Sequence, residues 1–201
     1  IYRPHCGSCN ACTAARVAVE DFSPSRSQKR VINSNRDLRL EITDNVIDDE
    51  AYDLYQRYIC KKHAEGDMYP PDREQYESFL NNSLGCTQYF RLYDGDRLVC
   101  VAVSDQMLDG LAAIYTFYDP EFEKRSLGTF AVLLQISHAK KLGLPYVYLG
   151  YWIDGCRKMS YKTRFKPLEM LSNGLWHGDG DSSTSGLSTI PVVNVSEEVR
   201  D

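Results

Sequence analysis

The chain has 201 residues, of which 43% are hydrophobic and 11% aromatic, so it can bury a core and global disorder is excluded. Its formal net charge of −5 excludes a uniformly basic nucleic-acid binder, and no apolar run reaches the roughly 18–20 residues that span a bilayer. Four of the seven cysteines are scattered, and the chain lacks the dense pairing of a small secreted disulfide protein, which predicts a reducing compartment and a cytoplasmic location.

The chain begins with a run of three regularly spaced cysteines, Cys6, Cys9 and Cys12. They could supply three ligands to zinc or to an iron–sulfur cluster, but the fourth ligand would have to be His5 or a distant cysteine. Adjacent ligands such as His5 and Cys6 reach one ion only under strain. We therefore expect no bound metal, and we interpret the run as a folded turn.

One short strand and two helices are predicted before the chain changes to β structure. The strand candidate covers residues 16–19. Residues 48–64 carry apolar side chains at helical spacing, with Asp48 as a candidate N-cap. After two prolines, Asp72 followed by Gln75 forms a capping-box pattern, which indicates that a second helix begins there.

The helical hydrophobic period then ends, and the following segments are typical of strands. Residues 87–93 and 98–103 are predicted strands, joined by Asp94-Gly95-Asp96, which is typical of a hairpin turn. A third strand over 111–118 completes an antiparallel meander.

A helix and one more strand follow the meander. The helix is predicted over 126–142, where two lysines occupy the last turn and Gly143 follows as a C-terminal cap. The aromatic-rich strand over 146–152 then makes residues 111–152 a β-α-β unit.

Two segments are basic in spite of the acidic total. Residues 26–39 hold five basic side chains against one acid, Asp37, and residues 157–166 hold five basic side chains and no acid. Local patches of this kind can bind phosphate groups while the whole protein stays acidic. Charge alone favours the simpler interpretation of two solvated loops.

Helices, a three-stranded meander and a β-α-β unit, in this order, resemble the core of the acyl-CoA N-acyltransferases, the GNAT fold. In that fold two neighbouring parallel strands splay apart, and the acyl donor lies in the gap, with a phosphate at the N-terminus of the helix between them. Here that turn, residues 125–130, is similar to the pyrophosphate loop of acetyltransferases. Its last residue, Phe130, is bulky where backbone should approach the phosphate, which argues against coenzyme A.

The most specific segment covers residues 148–167 and has the sequence YLGYWIDGCRKMSYKTRFKP. It resembles the aminoacyl-tRNA–protein transferases of the N-degron pathway. Other stretches match that family in order: the cysteine run with Arg16, Ser27-Gln28-Lys29-Arg30, Tyr58 to His63 with Gly66-Asp67, and Phe117-Tyr118-Asp119-Pro120 with Leu127-Gly128. The resemblance extends over residues 1–176. The opening with three cysteines is similar to the bacterial branch of that family, which transfers leucine.

The resemblance implies an α+β chain with a GNAT-like fold, built as two degenerate GNAT halves with a mixed sheet flanked by helices. Residues 1–70, with the cysteine-rich segment and a helix, are expected to be the remnant of the first half. Residues 71–176 are expected to form the C-terminal GNAT-like core. Residues 177–201 are expected to be a polar tail, in loop structure with a short strand around 190–195.

The resemblance further implies an enzyme, an aminoacyl-tRNA–protein transferase. Its donor would be leucyl-tRNA and its acceptor a protein whose first residue is Asp or Glu, which the new N-terminal leucine marks for degradation. No cofactor is expected, acetyl-CoA included. The protein is expected to act away from membranes and as a monomer.

Three other functions remain open from the sequence. They are an arginyl-tRNA–protein transferase, an N-acetyltransferase that uses acetyl-CoA, and a metal-binding module that recognises RNA without catalysis. An arginyl donor would need a buried acid, whereas a leucyl donor needs an apolar cleft.

The candidate catalytic residues follow from the chemistry of an aminoacyl ester. Such an ester is already activated, so positioning can supply much of the acceleration and no strong nucleophile is required. Tyr151 and Tyr161 are candidates for hydrogen bonds to the attacking amine or to the ester carbonyl. Asp119 or Asp154 could accept the proton of the amine, although each is also a typical turn or capping residue.

The candidate binding residues are cations for the acceptor and apolar side chains for the donor. An acidic N-terminal residue needs a cation, for which Lys162 and Arg164 are the first candidates and Arg16 and Arg30 the second. Each could equally face solvent or a tRNA phosphate.

The apolar donor pocket is assigned to Trp152, Phe117 and Met159, with Gly128 at the start of the helix, although aromatic residues on a core strand are also ordinary packing. His63 is expected at the C-terminus of a helix.

Overall fold

The computed structural model describes residues 11–81 and 85–178. The strands, in chain order, are β1 (Thr13–Ala18), β2 (Arg39–Thr43), β3 (Thr87–Asp94), β4 (Arg97–Gln106), β5 (Gly110–Tyr118), β6 (Tyr146–Trp152), β7 (Leu168–Ser172) and β8 (Leu175–Gly178). The α-helices are α1 (Arg26–Ser34), α2 (Asp49–Lys62), α3 (Arg73–Leu80) and α4 (Leu127–Lys141). Two 3-10 helices cover Pro120–Arg125 and Arg157–Arg164.

The eight strands form one mixed sheet in the order β2-β3-β4-β5-β6-β1-β7-β8. Neighbouring strands are antiparallel except β5 and β6, which run parallel on either side of α4 in the chain. The predicted meander and β-α-β unit are therefore confirmed. Strand β1 lies between β6 and β7, so residues before and after position 70 share one sheet, and the division into two degenerate halves stays a prediction.

Helices cover both faces of the sheet, as the predicted fold class requires. Successive side chains of a strand point to opposite faces. In β3, Phe90 and Leu92 pack with α4, whereas Tyr89 and Tyr93 pack with α2 and α3. In the described ranges no helix has the length and apolar character needed to cross a bilayer.

The predicted helix caps are present. The Asp48 carboxylate accepts a hydrogen bond from the backbone N–H of Ala51 at 2.8 Å, and the Asp72 carboxylate accepts one from Gln75 at 2.8 Å. After α4, Gly143 has a φ of 70°, the left-handed conformation in which glycine avoids the penalty of a Cβ atom.

Both basic segments are mainly helical, so the expectation that they are loops is wrong, whereas their basic side chains other than Lys162 are exposed to solvent. Helix α1 begins with a reciprocal capping box, in which the Ser25 hydroxyl accepts from the Gln28 N–H and the Gln28 side chain accepts from the Ser25 N–H. The sequence does not reveal α1 because Val31 and Ile32 are its only apolar residues. The second segment forms the 3-10 helix Arg157–Arg164, called the basic 3-10 helix below.

Three strands also escape the sequence analysis. Strand β2 lies at one edge of the sheet, and β7 and β8 lie at the other. Residues 177 and 178, which the sequence assigns to the tail loop, are the end of β8. The strand predicted around 190–195 and two of the cysteines, Cys6 and Cys9, lie outside the described residues.

Candidate functional site

A gap opens between β5 and β6 where the two strands stop pairing. They pair only through Gly110–Tyr146, Leu111–Val147 and Ala112–Tyr148, although β5 continues to Tyr118 and β6 to Trp152. At the closed end, a Cβ atom on Gly110 would lie 2.5 Å from the Tyr146 carbonyl oxygen, so the close approach requires glycine. The splayed parallel strands expected from the GNAT resemblance are confirmed.

Two adjoining cavities lie along this gap. The larger one, of about 520 Å³, is lined by the end of α2, by β5 and by the first turn of α4. The smaller one, of about 260 Å³, lies between β5, β6 and the basic 3-10 helix. Ala113, Ile114 and Tyr161 line both cavities, which places Tyr161 at their junction.

A wider depression of about 930 Å³ lies near the opposite end of the strands. It is lined by residues such as Asp44, Cys86 and Leu108 and has no lysine or arginine among its lining residues. No residue from the start of α4 lines this depression. We therefore place the candidate site at the gap.

The first turn of α4 forms one wall of the larger cavity. Ser126 precedes the helix in the left-handed conformation, with a φ of 55°, and its side chain makes no capping hydrogen bond. Ser126, Gly128 and Thr129 line the cavity. The N-terminal N–H groups of a helix that lack a side-chain cap favour an anion or a developing negative charge.

A histidine and a tyrosine form a hydrogen-bonded pair in the wall of the larger cavity. His63 is the C-cap of α2, as predicted, and its Nε2 lies 3.2 Å from the Tyr58 hydroxyl. Burial, with help from Lys158 and Lys62, lowers the pKa of His63 below 6.5, so the imidazole is neutral at pH 7. Burial raises the pKa of Tyr58, which keeps its hydroxyl protonated.

A buried lysine forms part of the smaller cavity. Lys162 is 8% exposed, and its Nζ donates to the Tyr151 carbonyl oxygen at 2.5 Å. Burial lowers the pKa of Lys162, because removal from water disfavours the charged ammonium group. No carboxylate forms an ion pair with this group among the described residues. Lys162 is also the one lysine or arginine, in the part of the chain described, that lines either cavity.

The gap brings together four of the residues singled out from sequence besides Lys162 and His63. Tyr151 and Met159 line the smaller cavity, Gly128 lines the larger one, and Tyr161 lines both. Trp152, at the end of β6, is half-buried against the main core but lines neither cavity.

Three of the four cations proposed for the acceptor do not reach the gap. Arg16 is bound elsewhere, because its Nε donates to Glu169 at 2.6 Å and its guanidinium lies 3.4 Å from the centroid of the Tyr146 ring. Arg30 and Arg164 have exposed side chains that line neither cavity.

The two carboxylates proposed as proton acceptors have structural roles instead. Asp119 is 1% exposed; it accepts from Arg97 at 2.6 Å and from Arg57 at 3.3 Å. Its second oxygen accepts from the backbone N–H of Glu121 at 3.0 Å. Asp154 is exposed and caps the turn at Gly155.

Two aromatic residues interpreted from sequence as site features belong to the core. Phe117 is 0% exposed and packs edge-on against Tyr55 on the face of the sheet that α2 and α3 cover. Phe130 is 7% exposed and packs into the other core, so its side chain does not obstruct the start of α4. Phe130 therefore gives no steric reason to exclude coenzyme A from the start of α4.

No cluster of three or more metal-ligating side chains exists among residues 11–81 and 85–178. Cys12 is a half-buried free thiol there. Since Cys6 and Cys9 are not among these residues, the expectation of an empty cysteine run stays a prediction.

Sequence reasoning missed most of the wall of the larger cavity. The missed residues come from α2, β5 and α4 and are Tyr58, Tyr115, Thr116, Tyr118, Ser126 and Thr129. The sequence feature that could have identified two of them is that Tyr58 and Tyr118 lie in stretches that resemble the transferase family. No local pattern shows that these stretches meet.

Comparison with known proteins gives a family match over most of the chain. Residues 50–172 match "Arginine-tRNA-protein transferase, C terminus", and residues 1–30 match "Arginine-tRNA-protein transferase, N terminus". Proteins named aspartate/glutamate leucyltransferase from Pseudomonas fluorescens (strain Pf0-1) and Pseudomonas aeruginosa (strain LESB58) are each 49% identical over 176 residues. The matched region covers 88% of this chain and 75% of each relative.

Solved structures with little sequence identity share the fold. L-PGS from Bacillus licheniformis is 14% identical, with a TM-score of 0.55, over 84% of this chain and 58% of that chain. A tandem GNAT protein from the clavulanic acid biosynthesis pathway is 13% identical, with a TM-score of 0.51, over 76% of this chain and 48% of that chain. The chain thus spans roughly half the length of these structures, and the GNAT-like fold is confirmed.

Replacing Asp119 with Asn tests its structural role. Burial raises the pKa of Asp119, but the Glu121 N–H and the two guanidinium groups outweigh it, so the pKa lies below 3.8. A carboxylate with a depressed pKa stabilises the fold above its unfolded pKa, and this contribution is lost as the pH falls. We expect Asp119→Asn to lose about 1–3 kcal/mol of unfolding free energy at pH 7.

Urea unfolding at several pH values measures this loss, and the difference from wild type should shrink below about pH 4. The exposed Asp154→Asn serves as the control and should change stability by less than about 0.5 kcal/mol. A difference for Asp119→Asn that is equally large at pH 3 and pH 7 would contradict the assignment.

Proposed function

The chain belongs to the arginine-tRNA–protein transferase family, and we propose that it transfers leucine from leucyl-tRNA to the N-terminal Asp or Glu of acceptor proteins. The product would be a new peptide bond and an N-terminal leucine that marks the acceptor for degradation. The names of the Pseudomonas relatives support leucine as the transferred group.

One observation carries this proposal: two adjoining cavities with different chemistry meet at Tyr161. The larger cavity combines an uncapped helix start with a neutral histidine, and the smaller one contains a buried cation. A transfer reaction needs a donor site and an acceptor site whose reactive groups meet at one point. We assign the donor to the larger cavity and the acceptor to the smaller one.

The lining of the larger cavity favours a leucyl over an arginyl donor. Ile114, Leu127 and Val132 supply apolar surface for an aliphatic side chain. The cavity contains one acid, Glu123, whose side chain is 67% exposed and already pairs with Lys62 at 2.6 Å. A bound arginyl group would need a buried carboxylate, and no described residue of this lining offers one.

The uncapped start of α4 can stabilise the ester while it reacts. The ester carbonyl gains negative charge in the transition state, and fixed N–H groups directed at that charge lower the barrier. In this proposal no cofactor is needed, because the aminoacyl ester brings its own activation. The donor is thus the charged tRNA itself, and acetyl-CoA has no part in the reaction.

Lys162 supplies the acceptor specificity in this proposal. Its ammonium group has a carbonyl oxygen as a partner but no counter-charge, and it lies in a cavity that reaches the junction at Tyr161. The carboxylate of an N-terminal Asp or Glu would neutralise it and restore the pKa that burial lowers. A neutral acceptor residue would leave the buried charge unpaired.

His63 and Tyr58 accept the proton of the attacking amine. The acceptor α-amine attacks the ester carbonyl, and the bond between the carbonyl carbon and the tRNA 3′ oxygen breaks. The proton that the nitrogen loses is passed on to the departing 3′ oxygen, which leaves as a hydroxyl group. The neutral imidazole can accept this proton directly or through the Tyr58 hydroxyl at 3.2 Å. Lys62, Lys158 and Glu123 are the charged groups around this pair, and burial, with help from the two lysines, lowers the pKa of the imidazole.

A transfer assay with defined donors and acceptors tests the reaction. Leucyl-tRNA, arginyl-tRNA and acetyl-CoA are each incubated with peptides that begin with Asp, Glu or Ala, and the products are weighed by mass spectrometry. We expect one leucine on the Asp and Glu peptides and no other product. Arginine transfer, acetylation or modification of the Ala peptide would contradict the proposal.

Lys162→Gln tests the origin of the specificity. Removal of a desolvated charge partner costs roughly 2 kcal/mol or more, so the ratio of kcat/KM for Asp over Asn peptides should fall at least about 30-fold. Arg164→Gln, on the same 3-10 helix but outside the gap, should leave this ratio unchanged. An unchanged ratio in Lys162→Gln, or a collapse in Arg164→Gln, would remove Lys162 from the acceptor site.

His63→Gln tests the proton acceptor. The imidazole accepts a proton only when it is neutral, so wild-type kcat/KM should decrease as the pH falls through the lowered pKa of His63. This lower limb of the pH profile is separate from the limb at about pH 8, where the acceptor amine ionises. We expect the variant to lose roughly 100-fold or more of its activity and to lack the lower limb. His138→Gln, at a half-buried histidine packed on Phe90 away from the gap, should keep both limbs. A lower limb that persists in His63→Gln would exclude the role.

A further inference from the structure

Helix α1 and the basic 3-10 helix are distant in sequence but are held together as one surface. The Gln28 side chain, 4% exposed, donates through Nε2 to the carbonyl oxygen of Arg164 at 3.1 Å. Next to this bond, the rings of Phe22 and Phe165 stack with their centroids 6.5 Å apart. Phe165 is 1% exposed, so the arrangement is fixed by the packing of a buried ring and by a partly buried hydrogen bond.

This surface carries a concentration of unpaired positive charge. Neither helix contains an acidic residue. Six exposed side chains on the two helices have no ion pair within the described part of the chain, and we call them the basic surface: Arg26, Lys29, Arg30, Arg157, Lys158 and Arg164.

The contrast with the rest of the molecule is clear, because most other described arginines pair with a carboxylate. Arg57 and Arg97 bind Asp119, and Arg91 binds Asp48. Acidic residues outnumber basic ones overall, 28 to 23, so carboxylates were available for pairing. The basic surface is therefore a local feature rather than a consequence of composition.

The basic surface also borders the reaction site. Tyr161 and Lys162, on the same 3-10 helix, line the gap. At the other boundary, the charge of Lys158 acts on His63 in the wall of the larger cavity. A polyanion bound on this surface would have its end next to the junction of the two cavities.

We infer that the basic surface binds the backbone phosphates of the acceptor stem of the donor tRNA and so directs the charged 3′ end into the larger cavity. The inference rests on the proposed function, which supplies the donor. Double-stranded RNA is recognised mainly through its phosphates and sugars, and exposed lysines and arginines bind phosphates with release of counterions. In a protein with a net negative charge, a local basic surface also orients the approaching tRNA.

Paired substitutions on the two helices test this surface. The variants are Arg26→Gln with Lys29→Gln on α1, and Arg157→Gln with Arg164→Gln on the 3-10 helix. The control is Lys140→Gln with Lys141→Gln, which removes two charges at the far end of α4, roughly 20 Å from its first turn. Each variant is first checked for an unchanged thermal unfolding midpoint.

The measurement is the Kd for leucyl-tRNA by fluorescence anisotropy at several salt concentrations. Each lost phosphate contact lowers the slope of log Kd against log salt by about 0.7–0.9, so each basic pair should lower it by about 1.5 and weaken binding about tenfold at low salt. The KM for leucyl-tRNA should rise by a similar factor, with kcat and the KM for an Asp peptide unchanged. The control pair should match wild type in every measurement.

The outcomes separate this inference from the proposed function. Wild-type leucine transfer with unchanged tRNA binding in both basic pairs overturns the inference and leaves the function standing. A rise in the KM for the peptide instead of the tRNA also overturns it. If wild type transfers no leucine, the function fails, and the anisotropy titration still decides whether the surface binds tRNA.

Discussion

The early end of pairing between β5 and β6 is the constraint on which the site depends. Beyond Ala112 and Tyr148 the facing backbone groups of the two strands no longer bond to each other. Strand β6 stays in place because β1 pairs with its other edge as far as Trp152, and β5 stays because β4 pairs with it as far as Tyr118. Each strand is thus held from outside while its inner edge is free to bond to side chains or substrates.

Lys162 occupies part of this free edge and shows how the gap differs from the rest of the protein. Other largely buried charges have partners of opposite sign: Arg16 pairs with Glu169, and Asp119 with Arg97. Lys162 has the carbonyl oxygen of Tyr151. A buried ammonium group without a carboxylate is costly for folding, which is consistent with a charge kept for a carboxylate that arrives with the acceptor.

Local signals were sufficient for the elements that lead to the gap. The strand-forming residues of β3 and β4, the Asp94-Gly95-Asp96 turn and the Asp48 cap each act over a few neighbouring residues, and the structure has both strands, the turn and the cap. Helix α1 and strands β7 and β8 could not be predicted in the same way. Their stability depends on contacts with distant segments, such as the bond from Gln28 to Arg164 and the pairing of β7 with β1.

The sequence by itself determined the family, the central β-α-β unit and the motif that contains Tyr161 and Lys162. It could not separate Lys162 from Arg16 or Arg164, since all three are cations in matching stretches. Only the tertiary structure decided that Lys162 lies in the gap, that Arg16 is bound to Glu169, and that His63 lines the larger cavity. The reason is physical: the role of a charge depends on its burial and its partners, and sheet pairing sets both across long stretches of chain.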